Sequence, residues 1–187
     1  MTKSNLRAAA FRLRGGIWTA LFLAILWLAS PSAPSVAIGL IPVMLGQALR
    51  CWAAGCIGRY RGERVSAKRL ATWGPYSLCR NPLYVGNGLI GLGWGIMAGI
   101  VPLILFALTF WVLYGLLIVP WEERFLLKKF GDAYRRYRRT VGAFCPKQWP
   151  VCVELGSFDL SILWRSERHS LLVTLLGTVV LASRLWW

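Results

Sequence analysis

The chain has 187 residues and a mass of 21.0 kDa, which suits one small domain or one small membrane bundle and excludes a soluble two-domain enzyme. Hydrophobic residues make up 57% of the sequence and charged residues only 16%, against about 25% charged in an ordinary soluble domain, so we expect lipid to surround much of the surface. The formal net charge of +15 is compatible with nucleic acid, anionic lipid or membrane topology as its cause.

Four long apolar stretches and a weaker fifth one predict membrane-spanning helices. In chain order they cover residues 16–30, 34–57, 82–99, 101–119 and 170–183. Because a helical span takes about 20 apolar residues and ~17 at least, we expect the first four to span, whereas the fifth is borderline. The predicted fold class is all-α: an integral membrane helical bundle of about five transmembrane helices with a cytoplasmic interfacial helix.

The basic residues are distributed unevenly among the connections between these stretches. Of the 22 Lys and Arg residues, 20 lie before the first stretch, between the second and third, or between the fourth and fifth. This positive-inside bias explains the charge of +15 without nucleic acid. We therefore expect the N-terminus and the active site on the cytoplasmic side, at the inner membrane if the protein is bacterial, with membrane lipids and no nucleic acid as partners.

Cysteine and histidine usage points away from disulfides and metal. The five cysteines are odd in number and lie mostly near the basic face, so we expect free thiols. They are Cys51, Cys56, Cys79, Cys145 and Cys152. Because His169 is the only histidine and no Cys-x-x-Cys pair occurs, we expect no metal site.

The loop before the third stretch carries the clearest local signals. Gly74-Pro75 is typical of a turn, and Asn81-Pro82 places an N-cap residue before a proline at the first helical position. The amides and dipole of a helix that starts there would favour an anionic group nearby, although the same residues also suit a membrane helix that is merely well capped.

Glycines are dense in the third stretch. Gly86-x-Gly88-x-x-Gly91 matches a dinucleotide fingerprint as a string, but no strand precedes it, so the match is accidental. Gly91, Gly95 and Gly99 at four-residue spacing instead predict a small-residue face that another helix, or a flat ligand, approaches closely.

Residues 121–139 predict an amphipathic helix at the membrane interface, with a stop and restart at Gly131-Asp132. One face of this helix is predicted to carry Glu122, Leu126, Phe130, Ala133 and Tyr137.

Charged residues at the ends of apolar helices need partners. Glu122 and Glu123 follow the fourth stretch, where a carboxylate is costly unless a basic residue or a cationic ligand is close. Arg50 lies within the second stretch and is expected either to snorkel to the inner surface or to pair inside the bundle.

Together these motifs resemble the isoprenylcysteine carboxyl methyltransferase family and its bacterial relatives. The resemblance covers roughly residues 40–147, in the right order and spacing, and rests on Gly46 to Arg50, Leu70, Gly74-Pro75-Tyr76, Arg80-Asn81-Pro82-Leu83-Tyr84-Val85-Gly86, Glu122-Glu123-Arg124-Phe125-Leu126, Phe130-Gly131-Asp132-Ala133-Tyr134 and Tyr137. It implies an integral membrane methyltransferase with a core at residues 34–147, preceded by an arm and first helix (residues 1–33) and followed by an extension (residues 148–187) with a possible last transmembrane helix.

The resemblance also implies a cofactor and a set of site residues. The methyl donor is expected to be S-adenosylmethionine, bound by Tyr76, Leu78, Cys79, Asn81, Leu83, Tyr84, Gly86, Glu122 and Glu123. Its carboxylate suits a helix start, and its sulfonium and ammonium groups suit aromatic faces and carboxylates. Arg50, Glu122 and Glu123 are the expected catalytic residues: Arg50 would orient an anionic acceptor or steady the glutamates, and a glutamate would hold the ammonium group or accept a proton from an amine.

Two positions depart from the family pattern. Asn81 stands where the motif commonly has histidine, and residues 118–121 are apolar where eukaryotic members carry an arginine. The acceptor is expected to be a lipophilic small molecule or lipid: a phospholipid amine, a prenylated carboxylate, an isoprenoid or a small thiol all remain open. An NADPH-dependent sterol or enone reductase, or a non-catalytic protein on the same scaffold, is the alternative.

Overall fold

Seven α-helices make up most of the computed structural model, which describes residues 3–57, 70–148 and 153–186. They are α1 (Lys3–Trp27), α2 (Ala33–Cys56), α3 (Pro75–Leu78), α4 (Pro82–Ala98), α5 (Ile100–Phe110), α6 (Val119–Thr140) and α7 (Leu160–Ser183). The described residues form no strand, and one isolated bridge joins Cys79 to Gly142. The all-α prediction is confirmed. Cys152 and the basic residues Arg59, Arg61, Arg64, Lys68 and Arg69 lie outside the described residues.

Turn chemistry sets the helix boundaries. Ser32 and Ser35 form a capping box at the start of α2, each side chain accepting a backbone N–H from the other residue. Gly99 joins α4 to α5 with φ of 115°, a value that residues with a Cβ rarely adopt, and so reverses the chain within one residue.

Helices α2 and α4 approach each other closely because glycines face each other across the contact. A Cβ added to Gly39 would lie 2.5 Å from the carbonyl oxygen of Gly93, and one added to Gly46 would lie 2.6 Å from that of Gly86. The predicted small-residue face of α4 packs against helix α5. A Cβ added to Gly91 would meet the ring of Phe106 in α5. Small residues are what let two backbones come this near.

The fourth apolar stretch and the amphipathic helix follow each other without an intervening loop over Ile100–Thr140. An eight-residue π-helical segment, Trp111–Ile118, joins α5 to α6. The predicted break is confirmed, because Gly131 interrupts α6 with φ of 51°. Beyond the break the prediction for Ala133 is wrong: the turn at Gly131 shifts the register, so that Tyr134 is buried and Ala133 is exposed.

Two helices, α2 and the long helix Ile100–Thr140, are long and apolar enough to cross a membrane. Large apolar side chains lie exposed on their outer faces; Ile41 and Met44 on α2 and Leu108 on α5, for example, are 60–68% exposed. Such a surface indicates contact with lipid or another apolar partner. All five predicted stretches are largely helical, but the count of five spans is not confirmed, because only these two helices of the described residues have the length and apolarity of a span.

Substitution of Gly46 by alanine tests the close approach of α2 and α4. The added methyl group has no space beside the Gly86 carbonyl, so we expect Gly46→Ala to lower the free energy of unfolding by about 1–3 kcal/mol. The matched control is Gly16→Ala on α1, where an added Cβ meets no atom within 4 Å. Thermal unfolding in detergent micelles measures both, and equal melting temperatures for the two variants would contradict the packing.

Candidate functional site

The start of α4 is fixed against the loop that follows α6. The backbone N–H groups of Arg80 and Asn81 donate to the carbonyl oxygens of Gly142 and Ala143, at 2.8 and 3.2 Å. Asn81 occupies the N-cap position, as predicted, but its side chain does not cap the helix. Instead its Nδ2 donates to the Ala143 carbonyl at 3.1 Å, so the amide ties two segments of chain together.

Arg80 is the partner of Glu123. Its Nε donates to Glu123 Oε1 at 2.9 Å, its Nη1 donates to the carbonyl of Val141, and Arg138 contributes a longer ion pair of 3.5 Å. Both side chains are nearly buried. The expected basic partner for the adjacent glutamates therefore comes from the loop before α4, and it fixes α6 to that loop.

Glu122 lies in a more apolar environment. Its side chain is 6% exposed, and Oε1 accepts a hydrogen bond of 2.8 Å from the hydroxyl of Tyr84 in α4. Tyr84, Trp121 and Phe125 pack in one hydrophobic cluster beside it. A carboxylate among aromatic rings favours a cationic group, because the negative faces of the rings add to its attraction.

A polar hollow of about 290 Å³ lies beside α3. Tyr137 closes one side and donates its hydroxyl to the carbonyl of Tyr76 at 2.7 Å. Residues of both polar and apolar type line the rest, among them Ser77, Leu78, Thr140, Lys147 and Gln148. Of the predicted cofactor residues, Leu78 lines this hollow, and the backbone carbonyl of Tyr76 accepts the hydrogen bond from Tyr137.

Three further predicted cofactor residues, Leu83, Cys79 and Gly86, pack against other parts of the protein. Leu83 packs against a core cluster that contains Tyr76, and Cys79 is buried. Gly86 faces α2, where an added Cβ would lie 2.5 Å from Arg50 Cγ. The structure therefore brings Asn81, Tyr84, Glu122 and Glu123 together at one end of the bundle, and a cofactor role for any of these residues stays a prediction.

Arg50 lies in a second polar cluster, inside the bundle. Its guanidinium forms a bidentate pair with Glu167 of α7 at 2.9–3.1 Å, and its Nε also donates to Ser170 Oγ at 2.9 Å. Of the two expectations for this residue, pairing within the bundle is confirmed. The expectation that it steadies Glu122 and Glu123 is wrong, because its hydrogen bonds go to α7 and α4; its catalytic role stays a prediction.

The cluster continues through α4 to α1. Arg50 Nη1 also donates to Asn87 Oδ1, and Asn87 Nδ2 donates to the hydroxyl of Tyr114 at 3.2 Å. Trp18 Nε1 donates to the same hydroxyl at 2.9 Å. The ring of Tyr114 lies 4.4 Å from that of Tyr84, centroid to centroid, so the two clusters touch.

Four residues of this cluster were not predicted from the sequence: Trp18, Asn87, Tyr114 and Glu167. A signal existed for Glu167, because a lone acid on an apolar helix needs a buried cation and Arg50 is the one basic residue within the second stretch. The signal for Asn87 was weaker: it is a polar side chain on an apolar helix, three residues after Tyr84. Nothing in the local pattern distinguishes Trp18 or Tyr114 from ordinary interface aromatics.

The stability of the protein should fall when one residue of the buried Arg50–Glu167 pair is replaced. Glu167→Gln leaves the Arg50 charge buried without its counter-charge, so we expect a loss of about 3–5 kcal/mol in the free energy of unfolding. Replacing both residues by methionine should recover most of the loss. The control is Asp132→Asn, which breaks an exposed pair with Arg135 and should cost under ~1 kcal/mol. Equal effects of Glu167→Gln and Asp132→Asn in a denaturant titration would contradict the pair's burial.

Thiol reactivity tests the packing around α4's start. Burial raises the pKa of the Cys79 thiol to about 11, so at pH 8 only about one molecule in a thousand carries the reactive thiolate, whereas Cys145 is exposed. We expect N-ethylmaleimide to modify Cys145 and to leave Cys79 intact until the protein unfolds, as read by mass spectrometry of peptides. Equal modification rates in folded protein would show that the loop is open.

Comparison of the sequence with known proteins identifies a family and several relatives. The sequence profile of the phospholipid methyltransferase family matches residues 34–133. The protein-S-isoprenylcysteine O-methyltransferase of Schizosaccharomyces pombe is 36% identical over 108 residues, 54% of this chain and 45% of that protein. The cobalt-zinc-cadmium resistance protein CzcN of Cupriavidus metallidurans is 35% identical over 112 residues, 59% of this chain and 48% of that protein.

A longer match is the nickel-cobalt-cadmium resistance protein NccN of Alcaligenes xylosoxydans xylosoxydans, 32% identical over 139 residues, which are 70% of this chain and 62% of that protein. Within the described ranges, no three His, Cys, Asp or Glu residues are grouped so as to hold a metal ion. The chain spans about half to three-fifths of the length of the curated relatives it matches. No solved structure matches it significantly. Since the family profile covers more than half of the sequence, the chain belongs to the phospholipid methyltransferase family.

Proposed function

We propose that this chain is an integral membrane enzyme that moves a methyl group from S-adenosylmethionine to a lipophilic acceptor. The observation that carries the proposal is the meeting of the Arg80–Tyr84 segment with Glu122 and Glu123, which lie about 40 residues away along the chain. The family profile supports methyl transfer and favours it over an enone reductase or a scaffold without activity. The isoprenylcysteine methyltransferase relative supports a lipid-linked acceptor.

The residues at this meeting point fit the chemistry of the donor. Glu122 is a buried carboxylate beside Tyr84 and aromatic rings, which suits a sulfonium or an ammonium group. The start of α4 carries the positive end of a helix dipole, which suits a carboxylate. S-adenosylmethionine would supply an activated methyl group there, and we assign its remaining polar parts to the polar hollow that Leu78 lines.

The roles of the two glutamates differ in this proposal. Glu123 is ion-paired with Arg80, so it holds α6 against the loop before α4 and keeps the site in shape. Glu122, which accepts a hydrogen bond from the hydroxyl of Tyr84, is the residue that we assign to the cationic part of the donor. Methyl transfer is an in-line displacement, which depends mainly on alignment of the reactants and on exclusion of water. Buried, hydrogen-bonded side chains such as these provide that alignment.

We further propose that about five helices cross the membrane, with the N-terminus and the site at the cytoplasmic face. The unequal distribution of Lys and Arg supports this orientation. The polar donor then enters from the cytoplasm, while the acceptor enters from the bilayer. The extension at residues 148–187 contributes α7, whose Glu167 fixes it to the core through Arg50.

Binding of radiolabelled S-adenosylmethionine to detergent-purified protein tests the assignment. Hydrogen bonds to charged groups contribute about 1.5–3 kcal/mol, so we expect Glu122→Gln and Tyr84→Phe each to weaken binding by about tenfold or more. Asp132→Asn, at an exposed carboxylate on the same helix, should leave the Kd unchanged. Wild-type affinity in both site variants would refute the roles of Glu122 and Tyr84.

The same preparation tests methyl transfer. Incubation with the labelled donor and a total lipid extract should give a labelled lipid, whose mass identifies the acceptor and whether oxygen, nitrogen or sulfur is methylated. Glu122→Gln should reduce the label transferred, and Asp132→Asn should not.

A further inference from the structure

The polar hollow beside α3 takes part of its wall from the C-terminal extension. Glu154 is the one acid among the described residues that line it. The match to the family profile ends at residue 133, so Glu154 lies beyond the part of the chain that the family shares. The same hollow is lined by Leu78, the last residue of α3, four residues before the start of α4. A residue of the extension therefore reaches the hollow to which we assign the polar parts of the donor.

A short segment without helix or strand, residues 153–159, holds Glu154 in place, and we call it the strap. The backbone N–H of Gly74 donates to the carbonyl of Glu154 at 2.8 Å, and Trp73 Nε1 donates to the carbonyl of Ser157 at 3.0 Å. Gly156 lies against the ring of Trp73, where an added Cβ would be 2.2 Å from the nearest ring atom. These contacts bind the strap to the loop before α3.

The far end of the strap is fixed to α2 and α7. The backbone N–H of Asp159 donates to the carbonyl of Gly55 at 3.0 Å, and the ring of Phe158 fills the space beside Gly55, 2.2 Å from an added Cβ. The Asp159 carboxylate accepts two backbone N–H groups of the first turn of α7 and so caps that helix. The folded bundle therefore sets the position of the strap, and with it that of Glu154.

The carboxylate of Glu154 is available to a ligand. Within the described parts of the chain it forms no ion pair and accepts no hydrogen bond. Lys147 is the basic residue of the lining, but its Nζ donates to the carbonyls of Arg138 and Arg139 at 2.9 and 3.4 Å. The ammonium group of Lys147 therefore caps the end of α6 and does not neutralise Glu154.

The hydroxyl groups of the lining offer acceptors to a ligand. Ser77, Thr140 and Tyr137 each donate the hydroxyl proton to a backbone carbonyl, at 2.6, 3.1 and 2.7 Å. What these three hydroxyls retain for a ligand is their oxygen lone pairs. Together with the carboxylate of Glu154 they suit a ligand that supplies hydrogen-bond donors, such as a group with two adjacent hydroxyls.

We infer that Glu154 accepts hydrogen bonds from the ribose hydroxyls of S-adenosylmethionine and selects a ribonucleoside over a deoxyribonucleoside. The inference rests on the proposed function, in which Glu122 takes the cationic part of the donor. The hydrogen-bond donors that remain are the two ribose hydroxyls and the adenine amino group, and the ribose diol satisfies both carboxylate oxygens at once. Dinucleotide-binding folds also recognise ribose by a carboxylate. In this protein the carboxylate comes from the strap, outside the residues that the family profile matches.

Competition binding with the full chain in detergent tests the inference without methyl transfer. S-adenosylhomocysteine and its 2′-deoxy and 3′-deoxy analogues displace radiolabelled S-adenosylmethionine, and the ratio of their Kd values measures the preference for ribose. Because a hydrogen bond to a charged group is lost with each hydroxyl, we expect the wild-type protein to bind the parent compound about tenfold more tightly than either analogue.

A matched pair of variants assigns this preference to Glu154. Glu154→Gln keeps the size of the side chain but leaves one neutral acceptor oxygen, so the preference for ribose should fall to about twofold, through weaker binding of the parent compound. Asp132→Asn removes an exposed carboxylate that does not line the hollow, and it should keep the tenfold preference.

The outcomes distinguish this inference from the proposed function. A wild-type preference in Glu154→Gln overturns the inference while binding of S-adenosylmethionine still supports the proposed function. Equal weakening of the parent compound and both deoxy analogues by Glu154→Gln also overturns it, because Glu154 then contacts another part of the donor. If the wild-type protein binds no S-adenosylmethionine, the proposed function fails and the inference fails with it.

Discussion

The arrangement of this protein depends on the cost of placing charge inside an apolar bundle. A buried carboxylate or guanidinium persists only with a partner of opposite charge or with several hydrogen bonds. Two ion pairs among the described residues follow this rule: Arg50 pairs with Glu167, and Arg80 pairs with Glu123. Each pair joins segments that are distant in sequence. The pairs therefore act as constraints on which helices are neighbours, as well as local contacts.

The close packing of α2 against α4 makes both clusters possible. Glycines at Gly46 and Gly86 bring the two backbones together, and the side chain of Arg50 then passes directly over Gly86 toward α7. A larger residue at position 86 would block that path. On the other side of α4, Tyr84 and Asn87 reach α6 and the π-helical segment. One helix thus serves both polar clusters, because Gly86 makes room for Arg50 of α2 while Tyr84 and Asn87 carry the polar groups.

Much of this was predictable from the sequence, and the failures have physical causes. Hydropathy predicted the positions of the helices, Asn81-Pro82 predicted the start of α4, and Gly131 predicted the break in α6. Each of these signals acts on the backbone close to the residues that carry it, so the sequence alone reveals it. The placement of Ala133 on the face of Glu122 and Tyr137 was wrong because an unbroken helical period was carried across a residue with positive φ. The partner of Arg50 was not predicted: Glu167 is the one acid of α7 and needs a cation, but it is 117 residues away, and the packing of the helices decides which cation it meets. Pairing at that range is set by how helices pack, which single residues do not encode.

The same reasoning explains why polar chemistry is concentrated near one end of α4. Between Asn81 and Asn87 the helix carries the side chains that contact Glu122, Tyr114 and Arg50, whereas beyond Ile90 it carries glycines and the ring of Trp94, which packs against Phe22. A molecule lying along this helix would meet hydrogen-bonding groups first and only apolar surface afterwards. A reaction between a charged, water-soluble donor and a lipid needs such a gradient, because neither reactant is stable in the other's environment. Helix α4 supplies it within 17 residues, and the charge pairs on either side keep its position fixed.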